Sequence, residues 1–149
     1  MTVEERNLSV IRRWLEAWNR HDVDAAVALC AEDMVNHGRK VGRKGAAFVM
    51  RDILTTFPDQ TITVENMVAT GDAVIFRATV TATHLGTGRL PVDGGLLMGV
   101  PPTGKRYSNQ HIHWFTLREG EILEHRANRD DIGMMVQLGL LPPPPPFPG

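Results

Sequence analysis

Residues 107–131 read YSNQHIHWFTLREGEILEHRANRDD, and the alternation within this stretch decides the fold. Strand side chains point alternately to two faces, so Tyr107, Asn109, His111, His113, Phe115 and Leu117 share one side of the first arm. Ser108, Gln110, Ile112, Trp114 and Thr116 share the other. A two-residue Glu119-Gly120 turn would force Glu119 to positive φ, whereas a three-residue Arg118-Glu119-Gly120 loop asks that only of Gly120. The three-residue loop is therefore expected. It pairs Leu117 with Glu121, Phe115 with Leu123, His113 with His125 and His111 with Ala127, and gathers His111, His113 and His125 on one face. A shift by one residue would bring Arg126 and Asn128 there instead.

The 149 residues are 42% hydrophobic and 22% charged, which suits one globular domain with a real core. A net charge of −1 and the lack of long basic runs argue against nucleic acid or an anionic membrane as partner. Cys30 is the single cysteine, so no intrachain disulfide forms. The start MTVEERNLSV has no apolar signal core, and no apolar run approaches a membrane span of about 18 residues. A cytoplasmic protein is expected.

Earlier in the chain, Thr2 to Glu5 fits a capping box, and Leu8, Ile11, Leu15 and Trp18 recur at helical spacing, predicting a helix from Val3 to about Asn19. Asp22 or Asp24 is expected to cap a short second helix, and Met34 to His37 to be extended. The basic stretch GRKVGRKG (38–45) reads as a solvated loop without a P-loop pattern. Ala46, Met50, Ile53, Leu54 and Phe57 mark a helix that Pro58 stops. Ile62 to Val68 and Val74 to His84 alternate as a hairpin about Gly71-Asp72. A long loop, 85–104, carries the apolar patch Leu96-Leu97-Met98, expected to bury in a dimer contact rather than to rim the pocket. A last short helix, Ile132 to Leu138, takes Asp131 as its expected cap and Gly139 as its stop. Residues 142–149 form a proline-rich tail beyond a domain of residues 1–141. Helices followed by four long antiparallel strands predict an α+β domain with a curved sheet wrapped on its helices.

This order, with GVPPTGKRYSNQHIH (99–113), REGEI (118–122) and HRANRDDIGMMVQLG (125–139), resembles the SnoaL-like polyketide cyclases of the nuclear-transport-factor-2-like superfamily. The resemblance runs from Val3 to about Leu141. It implies an α+β cone, in which a curved antiparallel sheet and three main helices enclose one deep pocket. It also implies a homodimer or homotetramer, the dimer packed through the sheet's outer face, where Ile112 and Trp114 lie. Its chemistry is an intramolecular aldol closure without metal or organic cofactor, with a pocket aspartate as acid/base. That aspartate directly follows the HR of the second arm; here His125-Arg126 is followed by Ala127. The family's pocket histidine matches His113.

The first candidate chemistry is acid/base catalysis by His113, with His111 or Asp130 as its partner. An imidazole with an ordinary pKa of about 6.5 exchanges protons near neutrality, and a bell-shaped rate profile is expected there. His111, opposite Ala127 in the expected register, would fill the space of the missing carboxylate. A carboxyl at a pocket mouth, as Asp130 would be, has its pKa raised by desolvation. Arg129, Asn128, Asn36 and His37 are candidates to hold a substrate oxygen. Trp14, Phe115 and His125 complete the expected substrate surface, although Trp14 reads first as core. The HIH triplet with His125 also has the composition of a three-histidine zinc site, but no nearby carboxylate would orient the rings. The leading expectation is a cofactor-independent enzyme acting on a hydrophobic or aromatic polyketide-like carbonyl compound, as in antibiotic biosynthesis, by cyclisation, dehydration or a related rearrangement. The rivals are a non-catalytic binder of a hydrophobic polycyclic ligand and an assembly module using Ile112, Trp114 and the tail.

Overall fold

The computed structural model of the protein describes residues 1–90 and 97–149. Helix α1 (Val3–Asn19) starts at the expected capping box: the Glu5 backbone N–H donates to Thr2 Oγ1 at 3.1 Å, and the Thr2 N–H donates to the Glu5 carboxylate at 2.8 Å. Two backbone donors of the first turn are thereby satisfied by side chains. Asp22 caps α2 (Val23–Val27), accepting from the Ala25 N–H at 3.0 Å. Then come β1 (Cys30–Asn36), β2 (Arg39–Lys40) and α3 (Gly42–Thr56). The basic stretch is therefore not the expected loop. Arg39 and Lys40 form the edge strand, and Arg43 turns inward, donating to the Cys30 carbonyl at 2.8 Å and to Glu121 at 3.0 Å.

Strands β3 (Thr61–Thr70), β4 (Ala73–Thr83), β5 (Arg106–Arg118) and β6 (Glu121–Arg129) follow, and α4 (Asp131–Gln137) closes the described elements. All six strands join one curved, unclosed sheet in the order β2-β1-β6-β5-β4-β3. Neighbours from β3 to β6 are antiparallel, as expected, but β1 lies parallel to β6. The sheet is thus mixed. This pairing brings Asn36 level with His125, which joins two distant segments of sequence in one wall.

The β5–β6 hairpin departs from its expected register. Its turn is the two-residue one, with Glu119 at φ 52° and Gly120 at φ 82°, and Arg118 pairs with Glu121. Leu123 is then an extra residue: Leu117 pairs with Ile122, but Thr116 pairs with Glu124. The shorter turn and the bulge each shift the pairing by one residue, so the two together shift it by two. The expected faces survive, since strand parity is two. The partners change: Phe115 lies opposite His125, His113 opposite Ala127 and His111 opposite Arg129. Asn128 falls with Ile112 on the outer face.

The core lies between the concave face and the two long helices. Val74, Phe76, Ala78 and Val80 of β4 and Phe115 and Leu117 of β5 meet Val10, Ile11, Trp14 and Trp18 of α1 and Ala46 and Met50 of α3. A second cluster of Phe57, Ala82, Leu97, Tyr107, Met134 and Leu138 closes one end. Leu97 packs within this cluster, Met98 is exposed, and Leu96 lies outside the described residues. Asp130, not Asp131, caps α4, its carboxylate accepting from the Gly133 N–H at 2.9 Å.

Candidate active site

Helices α1 and α3 and the concave face enclose a cavity of about 580 Å³. One side is apolar: Trp14 and Trp18 of α1, Met34 of β1, and Val49, Met50 and Ile53 of α3. The sheet side carries Asn36, His37, His111, His113, Phe115, His125 and Arg129. Trp14 serves both readings, since it packs in the core, stacks on Trp18 with ring centroids 5.6 Å apart, and lines the cavity. Phe48, at 54% exposure, stands on the open side of the same cavity.

The polar side is an ordered file. His111 Nδ1 lies 3.1 Å from His113 Nε2, His113 Nδ1 lies 2.8 Å from His125 Nε2, and His125 Nδ1 lies 2.9 Å from Asn36 Oδ1. The expected gathering of the three histidines is present, but the rings spend their nitrogens on one another. Among the described residues, no group of three or more His, Cys, Asp or Glu side chains is disposed to hold a metal ion. Both nitrogens of His113 are engaged by neighbouring rings, so His111, at the end of the file, offers the nitrogen that no imidazole claims.

Packing fixes the rings. Phe76 stacks on His113 at 4.7 Å and 14°, and Phe115 lies 4.7 Å from His125. His37 meets His125 edge-on at 5.6 Å. Ala78 lies opposite His111 on β4. Burial lowers the pKa values of all these imidazoles, because a cation there loses its hydration. His111 is brought down to about 3, first by burial and then by the Arg129 charge. His113 and His125 lie well below the ordinary range, by burial and then by the neighbouring imidazoles. His37 is lowered by burial and by Arg129 and Arg126. At neutral pH the file is therefore uncharged, with the Arg129 guanidinium as a fixed cation beside it. Burial pushes the Cys30 thiol up to about 12, which leaves it protonated and inert at neutral pH.

The remaining sequence candidates divide. Asp130 is exposed, is occupied as a helix cap and does not line the cavity. Asn128 is exposed on the outer face. Arg126 is paired with Glu124 at 2.7 Å. The α3 wall was legible only as a helical stripe, which does not say whether a residue meets core or cavity. Gln60 was missed altogether: it accepts from Trp18 Nε1 at 3.1 Å and donates to the Tyr107 hydroxyl at 3.3 Å, a polar tie on the cavity lining. Leu90 also lines the cavity, held there because Asp52 accepts the backbone N–H groups of Arg89 and Leu90 at 2.9 and 3.2 Å.

A curved sheet closed by helices over one cavity, apolar on one side and polar on the other, defines a small-molecule cone of the nuclear-transport-factor-2-like class. Within that class the chain belongs to the SnoaL-like polyketide cyclase family, whose model matches residues 8–138. Over 45 residues it is 42% identical to an aklanonic acid methyl ester cyclase of Streptomyces peucetius and 40% identical to the nogalonic acid methyl ester cyclase of Streptomyces nogalater. These matches cover 30% of this chain and 31% and 34% of the relatives, so the alignment spans about a third of their length. Two solved structures from Streptomyces are similar over most of the fold. The AclR protein of S. galilaeus, described as a candidate hydroxylase, has a TM-score of 0.77 and 29% identity, covering 95% of this chain and 86% of its own. Wild-type IdmH of S. antibioticus, described as a candidate polyketide cyclase, has a TM-score of 0.71 and 31% identity, covering 89% and 98%.

Proposed function

We propose that the protein is a cofactor-independent enzyme of cyclase type that closes a ring in a polyketide-like carbonyl compound by acid/base catalysis. The observation that carries this reading is the neutral imidazole file, whose free end, His111, adjoins Arg129 in a cavity of about 580 Å³. In the proposed step, His111 Nε2 takes a proton from a carbon next to a carbonyl. The resulting enolate carbon bonds to a second carbonyl carbon, whose π pair moves to its oxygen. That oxygen recovers the proton from His111, so the reaction is an isomerisation and needs no other reagent. Arg129 stabilises the enolate as charge develops, which counts for most in a water-poor site. The negative charge of the enolate favours the imidazolium as it forms, so the lowered pKa suits a group that is uncharged until the substrate reacts. His113 acts through His111, and Trp14, Trp18 and Phe115 supply flat surfaces for an aromatic substrate.

The sequence assigned the principal role to His113; the occupied nitrogens of that ring favour His111 instead. The names of the curated relatives suggest the first compounds to test, aklanonic and nogalonic acid methyl esters. Cyclised product from the wild type, and a loss of about 100-fold or more in turnover for His111→Asn, are expected from the usual size of acid/base effects. Full turnover by a folded His111→Asn variant would contradict the assignment.

A further inference from the structure

The file of three imidazoles has only two self-consistent proton arrangements. Each link joins the Nδ1 of one ring to the Nε2 of the next, ending at Asn36 Oδ1. A neutral imidazole carries one N–H and one lone pair on opposite nitrogens. If His125 donates from Nδ1, its Nε2 accepts, so His113 must donate from Nδ1. His113 Nε2 then accepts from His111 Nδ1, and His111 Nε2 is left as a bare lone pair at the cavity. In the reverse arrangement every proton moves to Nε2, and His111 presents an N–H. The first form is a base and the second an acid.

The hydrogen bonds among the rings do not select between these forms. In water the Nε2–H tautomer of a histidine side chain is the commoner, and by itself it would favour the reverse. Asn36 breaks the symmetry, because a carboxamide oxygen 2.9 Å from His125 Nδ1 can only accept. The parallel pairing of Asn36 with His125 holds the two residues level. We propose that Asn36 is a positioning residue that sets the proton polarity of the whole file and so presents His111, two rings further on, as a base. The description as a base rests on the proposed function; the polarity is a property of the resting protein.

Two features of the site keep this coupling intact. Burial holds the rings uncharged, whereas an imidazolium at His113 would donate from both nitrogens, let His111 take the Nε2–H form and so uncouple it from Asn36. The stacking of Phe76 on His113 and the packing of Phe115 against His125 oppose ring reversal, which would exchange the two nitrogens.

Long-range ¹H–¹⁵N correlation spectra of the ¹⁵N-labelled protein at pH 7.5 read each tautomer directly. His111, His113 and His125 are expected to carry the proton on Nδ1. Asn36→Leu removes the acceptor while keeping the same branched shape and is expected to shift His111 toward Nε2–H. Asn36→Asp restores an acceptor and is expected to return His111 to the wild-type tautomer. Turnover should follow the same order, with kcat about 10-fold lower in Asn36→Leu and KM little changed, and recovery in Asn36→Asp. A wild-type His111 protonated on Nε2, meaning that the amide of Asn36 faces the other way, overturns the proposal even if no variant folds. An unchanged His111 tautomer in folded Asn36→Leu overturns it as well. The expected tautomers in a protein that converts no substrate would overturn the proposed function and leave the polarity assignment standing.

Discussion

His111 offers a nitrogen to the cavity only because its other nitrogen is held by His113, which is held in turn by His125. His113→Ala is therefore expected to cost turnover about as much as His111→Asn, roughly 100-fold, since it leaves His111 free to rotate. The pH dependence also moves. An ordinary histidine would give a bell near neutrality, but with the free-enzyme value of His111 lowered to about 3, kcat/KM should stay level from pH 7 down to 5. A half-maximal acid limb near pH 6.5 would contradict the burial of that ring. The same depression governs stability. In the unfolded chain these histidines take up protons as pH falls through about 6.5, while the folded protein excludes them, so their contribution is complete above that pH and is lost below it. Each neutral ring gives a slope of about 1.4 kcal/mol per pH unit, so urea midpoints at pH 5 should fall clearly below those at pH 7. Asp130→Ser retains a capping side chain and removes the carboxyl. Unchanged turnover is expected from it, whereas Asp130→Ala should cost about 1 kcal/mol of stability in urea titration.

At the scale of elements, the β5–β6 hairpin shows what the sequence could and could not convey. The alternation of Asn109, His111, His113 and Phe115 was visible, because strand parity is a local property. The turn was not, because avoiding positive φ at Glu119 is a preference that sheet pairing can override. Leu123 was not visible either, since a bulge leaves no sequence mark when its residue is apolar. Those two departures cancel in parity and so preserve the histidine face while changing every partner across it. Glu119→Asn should relieve the turn, since Asn-Gly is the favoured pair for two positive φ values, and raise stability by about 1 kcal/mol in the same assay. Asn36 was legible only as a polar residue near a strand end. Its role emerges from the parallel β1–β6 pairing, which joins segments about 90 residues apart and which no periodicity encodes.

For the whole molecule, the helix stripes and alternating strands were enough to predict an α+β domain with a curved sheet wrapped on its helices, and the late motifs the family resemblance that implied the cone. They did not predict which side chains of α3 face the cavity, because one apolar stripe serves core and pocket alike. The outer face bears Ile112 and Trp114, 49% and 51% exposed. If a dimer forms through this face, as expected from the sequence, Trp114→Lys should shift sedimentation toward monomer without altering the tautomers of the inner histidines; identical sedimentation of the two proteins would contradict that expectation. The most direct test of the central claim is deuterium exchange in D₂O at the carbon next to the reacting carbonyl of aklanonic acid methyl ester, followed by mass spectrometry. Wild-type protein should accelerate exchange above the buffer rate, together with ring closure, and His111→Asn should abolish the acceleration. Saturable binding of the ester by the wild type with exchange no faster than buffer would show that the imidazole file does not act as a base.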